Sequence, residues 1–157
     1  MRGGKRIKVL QNALKCGKIF VVNSTLRKIV HINGGIFMRT AIYGAGAMGT
    51  VLGAYITKNG GQVDLISRNR EHILALKKGG AHITGTVDFT VKVSALLPEE
   101  MQGRYDVIFL MTKQRENRRT VEFLLPYLAE DGIICTTQNG IPEPSVAEVA
   151  GEARTCG

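Results

Sequence analysis

The spacing of apolar and polar residues changes repeatedly along the chain from residue 39 onward. Short, nearly continuous apolar runs alternate with stretches in which apolar residues recur at helical spacing. The short runs are typical of buried strands, and the helical spacing is typical of amphipathic helices. The predicted strands cover residues 39–43, 62–66, 105–112 and 132–137, and the predicted helices cover 47–58, 70–78, 116–128 and a short segment within 138–151. This alternation predicts an α/β fold with a doubly wound parallel sheet.

Local signals refine this pattern between the main elements. Residues 81–93 alternate apolar and polar side chains, which predicts a β-hairpin. Residues 97–101 predict a single helical turn, and Asn69 is a suitable N-terminal cap for the helix that follows it. Pro126 lies within the predicted helix 116–128, so we expect that helix to bend or to end early.

Length and composition bound the class of protein. A chain of 157 residues with 44% hydrophobic content is sufficient for one domain with an ordinary core. No apolar run approaches the roughly 20 residues that cross a bilayer, so we expect no membrane partner. Cys16, Cys135 and Cys156 are widely spaced and form no C-x-x-C pair. Their spacing argues against a disulfide framework or a metal site and suits a reducing, cytoplasmic location.

The net charge of +8 is concentrated at the N-terminus. Residues 38–157 hold 13 basic and 13 acidic side chains, whereas residues 1–37 have no acid. The basic residues of this first segment are Arg2, Lys5, Arg6, Lys8, Lys15, Lys18, Arg27 and Lys28. We therefore predict a basic N-terminal extension, residues 1–37, outside the fold and one domain over residues 38–157. Met38 directly precedes the first strand, and we expect it to be the natural start.

Three glycines after the first strand follow the spacing G-x-G-x-x-G. Gly44 would permit a tight turn, Gly46 would let the backbone approach a pyrophosphate, and Gly49 would let the helix pack closely on the strand. The helix N-terminus would offer unpaired N–H groups and a partial positive charge to the phosphates. Because the motif lies between a predicted strand and a predicted helix, it indicates a Rossmann-like dinucleotide site rather than a simple turn.

The end of the second predicted strand indicates which dinucleotide this site prefers. An NAD site usually places an acid there for the ribose 2′-hydroxyl, but this end reads Ser67-Arg68-Asn69-Arg70. Asp64 lies too early, inside the strand. A guanidinium holds a 2′-phosphate through charge-assisted hydrogen bonds, so Arg68 favours NADP(H). Arg70 is more simply explained as a solvated helix residue.

Further polar candidates follow two other predicted strands. Lys113 follows the strand 105–112, and Asn139 follows the strand 132–137. Ligands of open α/β sheets bind at this edge, so both are candidates for the cofactor site. A surface lysine and an ordinary Asn-Gly turn are equally simple explanations.

Three segments together resemble the N-terminal domain of the ketopantoate reductase (2-dehydropantoate 2-reductase) family: "MRTAIYGAGAMGTVLGAYI", "FLMTKQ" and "TTQNGIPEPS". The resemblance implies reduction of 2-dehydropantoate, a 2-keto acid, to pantoate with NADPH, on the route to pantothenate and coenzyme A. It implies that Arg68 binds the adenosine 2′-phosphate, and that Lys113 and Asn139 line the nicotinamide-ribose end. The pyrophosphate would lie on Gly44, Ala45, Gly46, Ala47, Met48 and Gly49.

The resemblance also sets a limit on activity. Members of the family continue into a helical C-terminal domain, which supplies the lysine that acts as general acid and the acid that binds substrate. This sequence ends at Gly157, so we expect a truncated fold, no catalytic residue in this chain, and no ketopantoate reduction by residues 38–157 alone.

Two other classes of function stay open at this point. The same fold serves stand-alone nucleotide-sensing modules, and fold alone does not separate these from enzymes. A basic arm over residues 1–37 that binds nucleic acid is the third reading, although the segment lacks interleaved aromatic residues and a helix-turn-helix pattern. We expect no nucleic-acid partner, and the sequence leaves the oligomeric state open.

Overall fold

The computed structural model describes residues 38–157, and the predicted basic extension lies outside the described residues. The strands are β1 (Thr40–Tyr43), β2 (Val63–Ile66), β3 (Ala81–Ile83), β4 (Phe89–Val91), β5 (Ser94–Leu96), β6 (Tyr105–Leu110), β7 (Leu128–Thr136) and β8 (Thr155–Cys156). The α-helices are α1 (Ala47–Lys58), α2 (Arg70–Gly79), α3 (Asn117–Leu124) and α4 (Glu143–Ala150). Short 3₁₀ turns cover Pro98–Glu100, Gln114–Glu116, Leu125–Tyr127 and Glu152–Arg154.

Six of these strands form one parallel sheet in the order β5-β2-β1-β6-β7-β8. The strand before the glycine motif, β1, lies in the middle, between β2 and β6. Tyr43 at the end of β1 is in register with Ile66 of β2 and Leu110 of β6. The carboxyl ends of these three strands therefore reach the same edge. The predicted doubly wound, Rossmann-like parallel sheet is confirmed.

Hydrophobic side chains of β1 alternate between two cores on opposite faces of the sheet. Ala41 and Tyr43 belong to a cluster that includes residues of α3 and α4. Ile42 belongs to a second cluster, with residues of α1 and α2. Full burial of a side chain such as Ile42 contributes about 1.5–3 kcal/mol. Helices thus cover both faces of the sheet, and β1 is held from both sides.

The expected early end of the predicted helix 116–128 is confirmed, because the ring of Pro126 cannot continue it and α3 ends at Leu124. The start of β7 differs from the predicted pattern, since Leu128 already begins this strand. This strand therefore starts four residues before its predicted position. The short strand β5, beside β2, was not predicted, because three residues are too few to show a period.

The predicted hairpin and the predicted N-terminal cap of α2 are confirmed. Strands β3 and β4 pair antiparallel as a hairpin, separate from the main sheet. The Asn69 side chain caps α2, accepting a hydrogen bond of 3.1 Å from the backbone N–H of His72. Cys135 and Cys156 are free thiols that lie opposite each other on β7 and β8. No helix within residues 38–157 is both long and apolar enough to cross a membrane.

Candidate functional site

A cleft of about 370 Å³ opens at the carboxyl edge of the sheet. Its walls come from the loops that follow the three central strands. Gly44 and Gly46 follow β1, Ser67 and Arg68 follow β2, and Lys113 follows β6. The topology therefore brings together residues that are far apart in the sequence, as an open α/β sheet does at its ligand-binding edge.

Gly44 makes the turn from β1 into the glycine loop. Its φ of +106° lies in the region that side chains rarely adopt. A Cβ at this position would lie 2.7 Å from both the carbonyl carbon of Met111 and the backbone nitrogen of Thr112. The N–H groups of Gly44 and Ala45 both donate to the carbonyl oxygen of Ile66, at 2.9 Å. The turn is thus fixed by β2 and by the chain after β6, and it requires glycine.

Gly46 is different, because the protein itself does not require glycine there. Its φ of −79° and ψ of −155° are extended and suit any residue. An added Cβ would meet nothing within 4 Å. The residue is exposed and lines the cleft. The space in front of Gly46 is therefore open for a bound group, and close approach of such a group is a reason for glycine at this position.

Beyond Gly46, helix α1 begins with its amides directed toward the glycine loop. The first helical hydrogen bond runs from the N–H of Thr50 to the carbonyl of Gly46, at 2.8 Å. The amides of Ala47, Met48 and Gly49 precede this bond and have no acceptor within the helix. The first turn has no acidic residue and no side-chain cap. Its partial positive charge is therefore available to an anion.

Gly49 lets α1 approach the loop and β1 closely. A Cβ there would lie 2.8 Å from the carbonyl oxygen of Gly44 and 3.1 Å from Cγ2 of Ile42. Ala45 is fully buried, whereas Met48 is 72% exposed. Of the six residues predicted to hold a pyrophosphate, Gly44 and Gly46 line the cleft and the other four support it or follow it into α1.

Arg68 lies on the opposite wall, directly after β2. Its side chain is 73% exposed, and Nη1 lies 3.5 Å from Oε2 of Glu116. Arg70, two residues later, instead forms an ion pair of 3.0 Å with Glu99 and does not line the cleft. Of the two arginines, only Arg68 therefore lines the cleft.

Asp64, the acid inside β2, is engaged elsewhere. Its carboxylate accepts hydrogen bonds from Ser94 Oγ at 2.6 Å and from the Tyr105 hydroxyl at 2.8 Å. Arg39 adds an ion pair of 3.5 Å. Burial, and then the hydrogen bond to Asp64, raise the pKa of the Tyr105 hydroxyl, so this hydroxyl remains a donor. Asp64 belongs to this network and does not line the cleft.

Lys113 and Asn139 lie in different surroundings. Lys113 is exposed, lines the cleft, and has no carboxylate within ion-pair distance in the described part of the chain. Asn139 is also exposed but does not line the cleft. Its carbonyl oxygen accepts a hydrogen bond from Gln114, in the turn that begins directly after Lys113. The loops that carry Lys113 and Asn139 are thus in contact, but of these two residues only Lys113 lines the cleft.

A buried amide network beside the cleft was missed by the sequence analysis. Gln138 Nε2 donates to the carbonyl of Thr112 at 2.6 Å and to Oδ1 of Asn117 at 2.8 Å. Asn117 Nδ2 donates in turn to Gln138 Oε1 at 2.9 Å and to Ser145 Oγ at 3.0 Å. Asn117 is only 3% exposed, so these bonds hold the loop after β6 to α3 and α4. The available signal was the spacing of Asn117 and Val121, which places a polar residue on the apolar face of α3.

The charge of the cleft favours an anion. Arg68, Lys113 and Arg115 bring three cations, and Glu116 is the sole carboxylate among the described residues that line it. Within residues 38–157, no group of three or more histidine, cysteine or acidic side chains is placed to hold a metal ion. The arrangement combines an open space at a helix N-terminus with a guanidinium across the cleft.

Comparisons with known proteins agree with this architecture. The family model "Ketopantoate reductase PanE/ApbA" matches residues 40–156. The 2-dehydropantoate 2-reductase of Pyrococcus abyssi is 35% identical over 121 residues, which are 74% of this chain and 38% of that protein. The enzyme of the same name from Streptococcus pyogenes serotype M3 is 30% identical over 109 residues, 69% of this chain and 36% of that protein. The chain thus spans little more than a third of the length of these relatives.

Solved structures give the same result. The 2-dehydropantoate 2-reductase of Geobacter metallireducens aligns with a TM-score of 0.67 and 32% identity, covering 75% of this chain and 40% of that chain. A D-mandelate dehydrogenase in complex with NADH and anilino(oxo)acetate aligns with a TM-score of 0.64 and 27% identity, covering 71% and 36%. Fold, glycine loop and family model agree, and the chain belongs to the ketopantoate reductase PanE/ApbA family.

Proposed function

We propose that residues 38–157 form the NADP(H)-binding part of an oxidoreductase that reduces 2-dehydropantoate, or a closely related 2-keto acid, to the 2-hydroxy acid. The observation that carries the proposal is the open space in front of Gly46, where α1 begins. A pyrophosphate fits this place, because Ala47 and Met48 are exposed residues whose N–H groups have no acceptor within the helix, and the helix dipole favours negative charge there. Membership of the family supports the choice of a nicotinamide dinucleotide.

Arg68 supports the choice of NADP(H) over NAD(H). It lines the cleft at the end of β2, where the adenosine ribose of a dinucleotide lies on this fold. The one acid of that strand, Asp64, already binds Ser94, Tyr105 and Arg39. A free carboxylate for a ribose 2′-hydroxyl is therefore lacking on β2, whereas a guanidinium for a 2′-phosphate is present.

The reduced nicotinamide supplies the hydride for the keto carbon when the cofactor is bound. Lys113 lies on the β6 side of the cleft, and in this proposal its cation holds the nicotinamide ribose or the substrate carboxylate. Asn139 reaches the same end of the cofactor through its loop. The reaction also needs a proton donor near the keto oxygen. In the proposed function that donor comes from a helical domain of the kind that the family resemblance implies.

The experiment that tests this function measures oxidation of NADPH with 2-dehydropantoate and with other 2-keto acids. We expect NADPH to bind to residues 38–157 without turnover, and turnover to appear when the C-terminal part of a relative is added or fused in frame. Turnover by residues 38–157 alone would show that the proton donor lies in this domain. If neither NADPH nor NADH binds, the proposal is overturned.

Arg68→Ala tests the choice of cofactor. The substitution removes a charged hydrogen-bond donor to the 2′-phosphate, so we expect NADPH binding to weaken by about 1–3 kcal/mol. NADH lacks this phosphate, and its affinity should stay nearly unchanged. Titration calorimetry or nucleotide fluorescence measures both. Arg70→Ala is the matched control, because Arg70 is similarly exposed but pairs with Glu99 outside the cleft. Equal losses for the two nucleotides would remove Arg68 from the 2′-phosphate site.

The proposal includes a cytoplasmic location and a small-molecule partner. The free thiols of Cys135 and Cys156 are what a reducing compartment maintains. A 2-keto acid substrate accords with the names of the curated relatives. The nucleotide-sensing alternative is not favoured, because the matching family is defined by reductases.

A further inference from the structure

We propose that Glu116 competes with the cofactor's 2′-phosphate for the Arg68 guanidinium and thereby limits the preference for NADPH over NADH. This inference rests on the proposed function and adds a residue that sets cofactor specificity. The pair lies across the cleft, with Arg68 after β2 and Glu116 at the end of the turn that precedes α3. These two residues are 48 positions apart, and the parallel sheet brings them together.

The Arg68 guanidinium is held only loosely by Glu116, so it is able to bind another anion. The Nη1 to Oε2 distance of 3.5 Å is long for a charged hydrogen bond, and the two side chains are 73% and 53% exposed. An ion pair of this kind is weak and can exchange its partner. The guanidinium can therefore leave Glu116 for a phosphate, but the carboxylate has to be displaced each time.

The position of Glu116 lets its charge act on NADPH binding and not on NADH binding. It is the one carboxylate on the described wall of the cleft, among the cations Arg68, Lys113 and Arg115. It contacts the guanidinium that faces the 2′-phosphate rather than the glycine loop that faces the pyrophosphate. The two nucleotides share the pyrophosphate and differ only in the 2′-phosphate. A competitor at Arg68 therefore weakens NADPH and leaves NADH unaffected.

Tyr43, which also lines the cleft, responds to both charges. Burial raises the pKa of its hydroxyl. Arg68 lowers this pKa and Glu116 raises it. The two opposite charges of the Arg68–Glu116 pair therefore both act on a residue that lines the cleft.

The test is a double-mutant cycle with NADPH and NADH as the probes. Glu116→Gln keeps the size of the side chain and removes its charge. We expect NADPH to bind about two- to fivefold tighter, up to about 1 kcal/mol, and NADH to bind as in the unmodified protein. In the Arg68→Ala background this gain in NADPH affinity should vanish, because the guanidinium for which Glu116 and the 2′-phosphate compete is absent.

Glu122→Gln is the matched control. Glu122 is also 53% exposed and pairs with Arg118 on the outer face of α3, so its substitution should change neither affinity. An unchanged NADPH affinity in Glu116→Gln would overturn the inference. So would an equal gain for NADH, or a gain that persists without Arg68. Absence of binding by both nucleotides in the unmodified protein would instead overturn the proposed function itself.

Discussion

Gly46→Val should abolish binding of NADPH and NADH alike, with a loss of about a hundredfold or more in affinity. The branched side chain would fill the open space in front of α1, where the proposal places the pyrophosphate, and the two nucleotides share that group. The fold should survive, because the extended backbone of Gly46 accepts valine and an added Cβ meets no atom within 4 Å. We expect the free energy of unfolding to fall by about 1 kcal/mol or less, the usual range for a poorer helix cap.

Nucleotide titration and chemical denaturation together check this result. Gly79→Val is the matched control, since Gly79 is also exposed, has open space at its Cβ position, and lies at the far end of α2. That variant should bind both nucleotides normally. A folded Gly46→Val protein that keeps its affinity would mean that the motif serves only as a turn.

Gly44→Ala should instead act on the fold, lowering the free energy of unfolding by about 2–5 kcal/mol. Alanine at a φ of +106° costs about 1–2 kcal/mol in backbone strain. Its Cβ would also lie 2.7 Å from backbone atoms of Met111 and Thr112, and backbone cannot move aside as a flexible side chain can. Overpacking of this kind adds about 1–3 kcal/mol. Denaturant unfolding measures the sum.

Gly60→Ala separates the two contributions. Gly60 also has a positive φ, +84°, but an added Cβ there meets nothing within 4 Å. It should therefore show the backbone strain alone, about 1–2 kcal/mol. Equal losses at Gly44 and Gly60 would show that the loop relaxes away from β6, and that the contact with Met111 is not rigid.

The fold followed from the sequence because its main signals are local. Each central strand is a short apolar run that ends in a turn signal, each helix carries its own apolar period, and α2 also has the Asn69 cap. The failures occurred where a local signal was too short or contradictory. Strand β5 has three residues, and the start of β7 at Leu128 was missed because the apolar spacing of the preceding helix continues to that residue.

The candidate site was predictable only in part. The sequence could place the glycine motif and Arg68 at the carboxyl edge of the sheet, because their positions relative to strand ends are fixed by the fold. Contacts between side chains at the site could not be predicted. Those of Arg68 with Glu116, and of Gln138 with Asn117, join segments that are adjacent only after the sheet has formed. The same holds for Asp64, because its three partners come from different parts of the chain.

The position of β1 in the middle of the sheet has a consequence for the order of folding. The glycine loop takes its shape from hydrogen bonds to Ile66 and from packing against Met111, so two later segments must dock before it is complete. Contacts between distant segments are slow to form, because a long loop has to close first. When only β1 and α1 have emerged from the ribosome, the chain thus contains the residues of the glycine loop, but the loop does not yet have its folded shape. Nucleotide added during refolding should be captured only after β6 has joined the sheet.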